Sequence, residues 1–216
     1  MFVAAQPTLP AVSATLAPAG IAAFSPSTPV EGKTMLSVGE TELNVLEGRR
    51  VTIAGALRGP RRKALSRRTV VLQSLGRRGW HTLVTARTNA KGQYRIRFSP
   101  QSIGSQLVRV RFAGDATDLP SHRRVGRLNV YREVGASWYG GGGTTACGGT
   151  LTSSTLGVAN KTLPCGTMVT LRYGGHAITV PVIDRGPYVE GREYDLTEAT
   201  KYALGFGGTG EVWATR

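Results

Sequence analysis

The stretch Val180-Pro181-Val182-Ile183-Asp184-Arg185-Gly186-Pro187-Tyr188 decides how the last third of this chain is read. It closes a probable strand, Ala177 to Ile183, which Gly174-Gly175 joins to a preceding strand, Met168 to Tyr173. Paired glycines are a common tight-turn signal between antiparallel strands. Downstream, Gly186, Pro187 and Gly191 make a loop between Asp184 and Asp195, the only aspartates beyond Ala136. Such a loop can fold back and bring both carboxylates into one groove. Leu196 to Leu204 is long enough for a two-turn helix, with Gly205 placed to stop it. From Ala136 onward the chain is therefore expected to form short Gly- and Thr-rich strands with one short helix, closing as a small barrel.

Outward from that region the charge changes abruptly. The 216 residues carry 27 Lys and Arg against 13 Asp and Glu, a formal charge of +14. Residues 49–132 hold 20 of the cations against only Asp115 and Asp118, whereas the regions on either side are slightly acidic. Two chemically different modules are expected, and the length suffices for both to bury a core. The 40% apolar content excludes a disordered chain, and no apolar run reaches the roughly 18 residues of a membrane span.

Within the basic region the periodicity is two. Val51, Ile53 and Leu57 alternate with smaller or polar residues. Tyr94, Ile96 and Phe98 alternate with Arg95 and Arg97, and Val108, Val110 and Phe112 with Arg109 and Arg111. Each strand then has one buried and one Arg-coated face. Turn signals at Arg58-Gly59-Pro60, Gly76–Gly79, Asn89–Gly92 and Ala113–Asp118 separate about seven short strands, which suggests a two-sheet sandwich. Arg61, Arg62, Lys63, Arg67 and Arg68 cluster in one loop and are candidate polyanion-binding residues. The alternative is a solvated surface that maintains solubility.

Cys147 and Cys165 stand 18 residues apart. With His81, His122 and His176 scattered they cannot complete a zinc site, and neither a metal nor another cofactor is expected. They form either a disulfide, which would imply an oxidising, extracytoplasmic location, or two separate buried thiols. Residues 1–30 hold eight Ala and five Pro with no charge before Glu31. They read as a leader, either a signal peptide or a disordered segment. No cysteine precedes Cys147, so no lipid-anchored N-terminal Cys is expected.

Four motifs give the C-terminal region a family likeness: Ala136-Ser137-Trp138-Tyr139-Gly140, Thr145-Ala146-Cys147-Gly148, Leu156 through Thr167, and Val180 through Tyr188, followed by Gly191-Arg192 and Asp195-Leu196-Thr197. In this order they resemble the rare lipoprotein A (RlpA-like) family, and the cysteine pair resembles its disulfide-bearing Gram-positive branch. The resemblance implies a six-stranded double-psi β-barrel with one short helix. It also implies a secreted or wall-associated protein that engages peptidoglycan glycan strands. The basic region resembles Ig-like or fibronectin-like modules of secreted bacterial proteins, carried by Gly79-Trp80-His81 and Thr88 through Tyr94. The expected architecture is all-β: a leader over 1–38, an Ig-like sandwich over 39–131, a linker over 132–135 and the barrel over 136–216.

Glycan cleavage needs an acid to protonate the bridging oxygen. By resemblance Asp184 is the retained catalytic aspartate, with Asp195 the second candidate. A lytic transglycosylase would use one such group to protonate the leaving oxygen and help the sugar's C6 hydroxyl close an anhydro ring. Tyr139 and Tyr188 are candidates for stacking on sugars, Arg185 for holding a carboxylate or lactyl group, and Asn160 for bonding a sugar hydroxyl. Asp195 has an alternative role as helix cap with Glu198, Asp184 as partner of a nearby cation, and Trp138 and Tyr139 as core aromatics; His176 is expected exposed at its turn. The chain departs from active members at Gly149, Thr152 and Asn160, where they carry Glu, Asp and His. Three functions remain open: a lytic transglycosylase, a non-catalytic expansin-like wall-binding module, and nucleic-acid binding through the basic region. The expected partners are glycan strands and anionic wall polymers; the basic region shows no recognition helix, zinc finger or RNP-like motif for nucleic acid.

Overall fold

The computed structural model describes residues 32–216, and the expected leader up to residue 31 lies outside them. Short, alternately apolar segments make the chain almost entirely β. The strands are β1 (Met35–Val38), β2 (Asn44–Leu46), β3 (Val51–Arg58), β4 (Thr69–Gly76), β5 (Gly79–Arg87), β6 (Gln93–Phe98), β7 (Gly104–Phe112) and β8 (Ser121–Tyr139). They continue with β9 (Gly143–Thr144), β10 (Thr150–Leu151), β11 (Val158–Asn160), β12 (Met168–Tyr173), β13 (His176–Asp184), β14 (Tyr194–Thr197) and β15 (Gly210–Ala214), with helix α1 (Glu198–Leu204) before the last.

The first eight strands form two sheets. One is the antiparallel set β1-β3-β6; the other runs β5-β4-β7-β8, with β2 pairing parallel to β8. The expected alternation is seen directly: Ile53, Leu57 and Ile96 of the first sheet and Val70, Leu72, Val108, Val110, Leu128 and Val130 of the second meet in one buried cluster. Arg95 and Arg97 stay exposed. This unit begins earlier than the expected boundary at residue 39. Leu36 is buried in the cluster, the Tyr94 hydroxyl donates to the Ser37 carbonyl (2.7 Å), and Thr34 donates to the Leu119 carbonyl (2.8 Å).

Six strands close the second unit into a barrel in the order β14-β11-β13-β12-β15-β8, with β8 returning to β14. The β8–β14 and β11–β13 pairs are parallel and the rest antiparallel, a pattern that fits a double-psi barrel. Val134, Val158, Val169, Leu171, Val180, Val182, Tyr194, Leu196 and Leu204 fill it.

Residues 132–135, expected as a linker, are strand. Arg132 through Gly135 pair with Ala214 through Glu211 inside β8, which runs unbroken from one unit into the other. The apolar alternation explains this: Leu128 and Val130 face the first core, and Val134 and Ala136, in the same phase, face the second. Gly135 is required there because a Cβ would lie 2.0 Å from the Gly191 carbonyl oxygen.

Helix α1 starts two residues later than expected. Thr197, not Asp195, is its N-cap, accepting from the Thr200 amide, and Gly205 stops it in the left-handed conformation at φ 70°. No helix among the described residues is long and apolar enough to cross a membrane.

Candidate functional site

Asp184 is the last residue of β13 and stands opposite Ala159 of β11; Asp195 of β14 stands opposite Ala159 on its other side. Ser137 of β8 lies opposite Asp195, and Tyr139 follows two residues on. Residues in register across a ladder share a face, so both aspartates, Ser137 and Tyr139 project from the same side of the barrel wall. Two strand spacings put the aspartate backbones about 10 Å apart. The Gly186–Gly191 loop thus joins two carboxylates on one face, as expected.

The Asp184 carboxylate is held by backbone. Its Oδ1 accepts from the amides of Ala146 and Arg185, each at 2.8 Å. The Ala146 amide is aimed by a tight turn, in which Thr145 N–H donates to Gly149, Gly148 N–H to Thr145, and the Thr145 hydroxyl to the Gly148 carbonyl. Cys147 secures the turn twice: its amide donates to the Ile183 carbonyl, and its sulfur forms the disulfide with Cys165. No cation pairs with Asp184 among the described residues.

Asp195 does not cap the helix. It sits within β14 and its Oδ1 accepts from the Ser137 hydroxyl. Tyr139 is half-buried, with its hydroxyl sealed from solvent and making no hydrogen bond of good geometry. Burial pushes the phenol pKa up, and the charges of Asp184 and Asp195 push the same way. The phenol therefore remains protonated at neutral pH, between two carboxylates, and is a potential donor rather than a base. Trp138, by contrast, is 40% exposed, with the Lys201 ammonium 3.8 Å from its ring centroid.

The other expected ligands divide. Tyr188 is 80% exposed on the Gly186–Gly191 loop and presents a free ring. Asn160 is buried and its amide is committed: Oδ1 accepts from Thr162 and Leu163, and Nδ2 donates to the Glu193 carbonyl. Arg185 donates to the carbonyls of Asn160 and Leu163 and to the Cys165 sulfur, so it staples the loop carrying Cys165 beside the site. Gly149 lies in the turn at φ 93°, and the Thr152 hydroxyl bonds those of Ser154 and Thr155. Neither position brings a carboxylate. His176 is exposed. No cluster of three or more His, Cys, Asp or Glu suited to a metal occurs among the described residues.

Ser137 and the Ala146 amide were not anticipated. Ser137 was legible in principle, because it precedes Tyr139 by two in a strand; the amide becomes a donor only through the turn. In the basic region Arg61, Arg62, Lys63 and Arg67 are exposed, while Arg68 is spent on Asp115 (2.8 Å) and Asp118 (3.4 Å).

Buried tyrosines set the alkaline limit of the fold. Burial raises the pKa of Tyr94, Tyr131 and Tyr139, and that of Tyr194 is pushed up to about 12, chiefly by burial with the Glu193 charge adding. Raised folded values favour the protonated fold, so this stability is complete below about pH 10 and is lost as pH rises through the folded values. Urea midpoints should be level from pH 8 to 9.5 and fall steeply by pH 11; a flat profile to pH 11.5 would contradict this.

The module is thus a closed six-stranded barrel that fits a double-psi barrel and carries a backbone-held aspartate and a second carboxylate on one face. Residues 131–213 match the family model described as "Lytic transglycolase". A "Probable endolytic peptidoglycan transglycosylase RlpA" from Aquifex aeolicus (strain VF5) is 41% identical over 75 residues, 32% of this chain and 33% of the relative. One of the same description from Synechocystis sp. is 34% identical over 106 residues, 43% of this chain and 33% of the relative. The alignments span about a third of the length of these curated relatives. Among solved structures, the "Streptomyces papain inhibitor (SPI)" aligns at 25% identity and a TM-score of 0.31, over 39% of this chain and 96% of that one.

Proposed function

We propose that the barrel binds peptidoglycan glycan strands across the Asp184 face and cleaves them as a lytic transglycosylase, Asp184 serving as acid and then base. The observation that carries this reading is the Asp184 carboxylate itself: two amides fix one oxygen, and no cation neutralises the group among the described residues. A group held this way can give a proton to the bridging oxygen and take one from the C6 hydroxyl, so no water-activating partner is required. Asp195 lies on the same face but is tied to Ser137, which suits it to orienting substrate or the neighbouring phenol. Tyr188 offers the exposed ring against which a sugar stacks. The disulfide and the relatives' wall chemistry support a location outside the cytoplasm, in the disulfide-bearing branch of the family.

The two-sheet unit is read as an Ig-like sandwich that holds the barrel on anionic wall polymers, its exposed Arg61, Arg62, Lys63 and Arg67 contributing. A second reading, a non-catalytic wall-binding module, is favoured by Gly149, Thr152 and the committed Asn160, none of which adds an acid–base group beside Asp184. Purified protein incubated with sacculi should release 1,6-anhydro-muropeptides detectable by mass spectrometry. Binding without that product would establish the second reading.

A further inference from the structure

The outer face of the sheet β5-β4-β7-β8 carries a second basic surface, which adjoins Arg67 and Arg68 at the end of the 61–68 loop. Val108, Val110 and Phe112 point into the core, so Arg109 and Arg111 point out. Arg109 stands directly opposite Arg124, Arg111 opposite His122, and Leu107 opposite Arg127. On the other side of β7, Arg109 faces Gln73 and Arg111 faces Val71. Four guanidinium groups therefore share one face, with no carboxylate in these ladders, and none of the four makes an ion pair among the described residues.

The surface is organised as well as charged. Arg109 Nε donates to Gln73 Oε1 at 3.0 Å, and its guanidinium carbon lies 4.1 Å from the Trp80 ring centroid, which fixes its plane. A groove of about 380 Å³ runs past Arg111, Gln73, Thr82 and Arg67 to the Arg68–Asp115 pair. Like charges directly opposite in a ladder destabilise a sheet. Burial lowers the Arg109 pKa, and the neighbouring Arg111 charge pushes the same way. A bound anion would relieve that repulsion.

We propose that this face binds a linear, base-free phosphodiester polymer, with Arg109, Arg111, Arg124 and Arg127 contacting successive phosphates. The inference deepens the wall-tethering part of the proposed function and rests on it. A polymer with bases is disfavoured by the same residues: the indole on this face, Trp80, is covered by Arg109, which leaves only the small His122 imidazole, opposite Arg111, for stacking. Among the described residues the first unit has only a single 3-10 turn, Pro60–Arg62, and no α-helix to enter a duplex groove.

The test compares two charge-matched variants of the full chain: a face variant with Arg111→Gln, Arg124→Gln and Arg127→Gln, and a loop variant with Arg61→Gln, Arg62→Gln and Lys63→Gln. Binding to polyglycerol phosphate is measured at 50 and 200 mM salt, with single-stranded DNA in parallel. The face variant should bind polyglycerol phosphate at least tenfold more weakly, with a salt slope reduced by about 2, a clearly larger loss than the loop variant shows. Its Tm should be unchanged or raised, which excludes unfolding as the cause. A loop variant that loses binding while the face variant keeps it would overturn the proposal and leave wall tethering in place. Failure of the wild type to bind polyglycerol phosphate would overturn both, and tighter binding of DNA through the same face would overturn the base-free assignment. Muropeptide release reads the barrel separately and should be unchanged in the face variant.

Discussion

Asp184→Asn should lower the release of 1,6-anhydro-muropeptides by about 10²–10⁴-fold, the usual contribution of a positioned acid–base group. It should leave the fold and sacculus binding intact. The amide oxygen of Asn can still accept from Ala146 and Arg185, so the turn and the end of β13 keep their bonds. What is lost is the proton. Asp184 also has no ion-pair partner among the described residues, so the substitution strands no buried cation. The measurements are muropeptide mass spectrometry, a sacculus pulldown and a thermal melt on the same preparation. Product at the wild-type rate would move the acid elsewhere, and a collapsed melt would show that the carboxylate serves the fold.

Removing the disulfide with Cys147→Ser and Cys165→Ser should cost about 3 kcal/mol, because the bridge spans 18 residues of chain that are otherwise free in the unfolded state. For a barrel unit of about 80 residues that corresponds to a Tm lower by about 12–24 °C. The effect should reach the site as well. The bridge secures the turn whose Ala146 amide orients Asp184, so muropeptide release at 20 °C, well below the melt, should fall while binding persists. The turn's own hydrogen bonds make that loss partial rather than complete. A Tm within about 2 °C of wild type would show that those bonds close the turn without the bridge.

The fold was legible wherever apolar alternation and turn residues agreed. Val108, Val110 and Phe112 against Arg109 and Arg111 gave both the strand and its inner face, and Gly174-Gly175 marked the hairpin of the barrel. The boundary was misplaced because composition changes at residue 132 while the alternation does not: Val130 and Val134 stay in phase across it. Asp195 carried two sequence signals at once, a cap before a helical stretch and a partner for Asp184. The parallel pairing of β14 with β8 decides between them by opposing it to Ser137, and that long-range register leaves no local trace. Asn160 and Arg185 looked like ligands by type and position. They are polar because a closely packed loop has carbonyls and amides that need partners. Nor could local reading anticipate that Arg68 is neutralised by two aspartates almost fifty residues away.

The unbroken β8 leaves no loop between the two-sheet unit and the barrel. Arg127, on the basic face, and Ser137, beside Asp195, lie ten residues apart on one strand, a reach of at most about 33 Å. Hydrogen-bonded neighbours flank that strand in both units. If the first unit is the wall anchor proposed above, the polymer it holds and the Asp184 face are separated by a stretch of paired strand rather than by a loose tether, which limits how far the two can part.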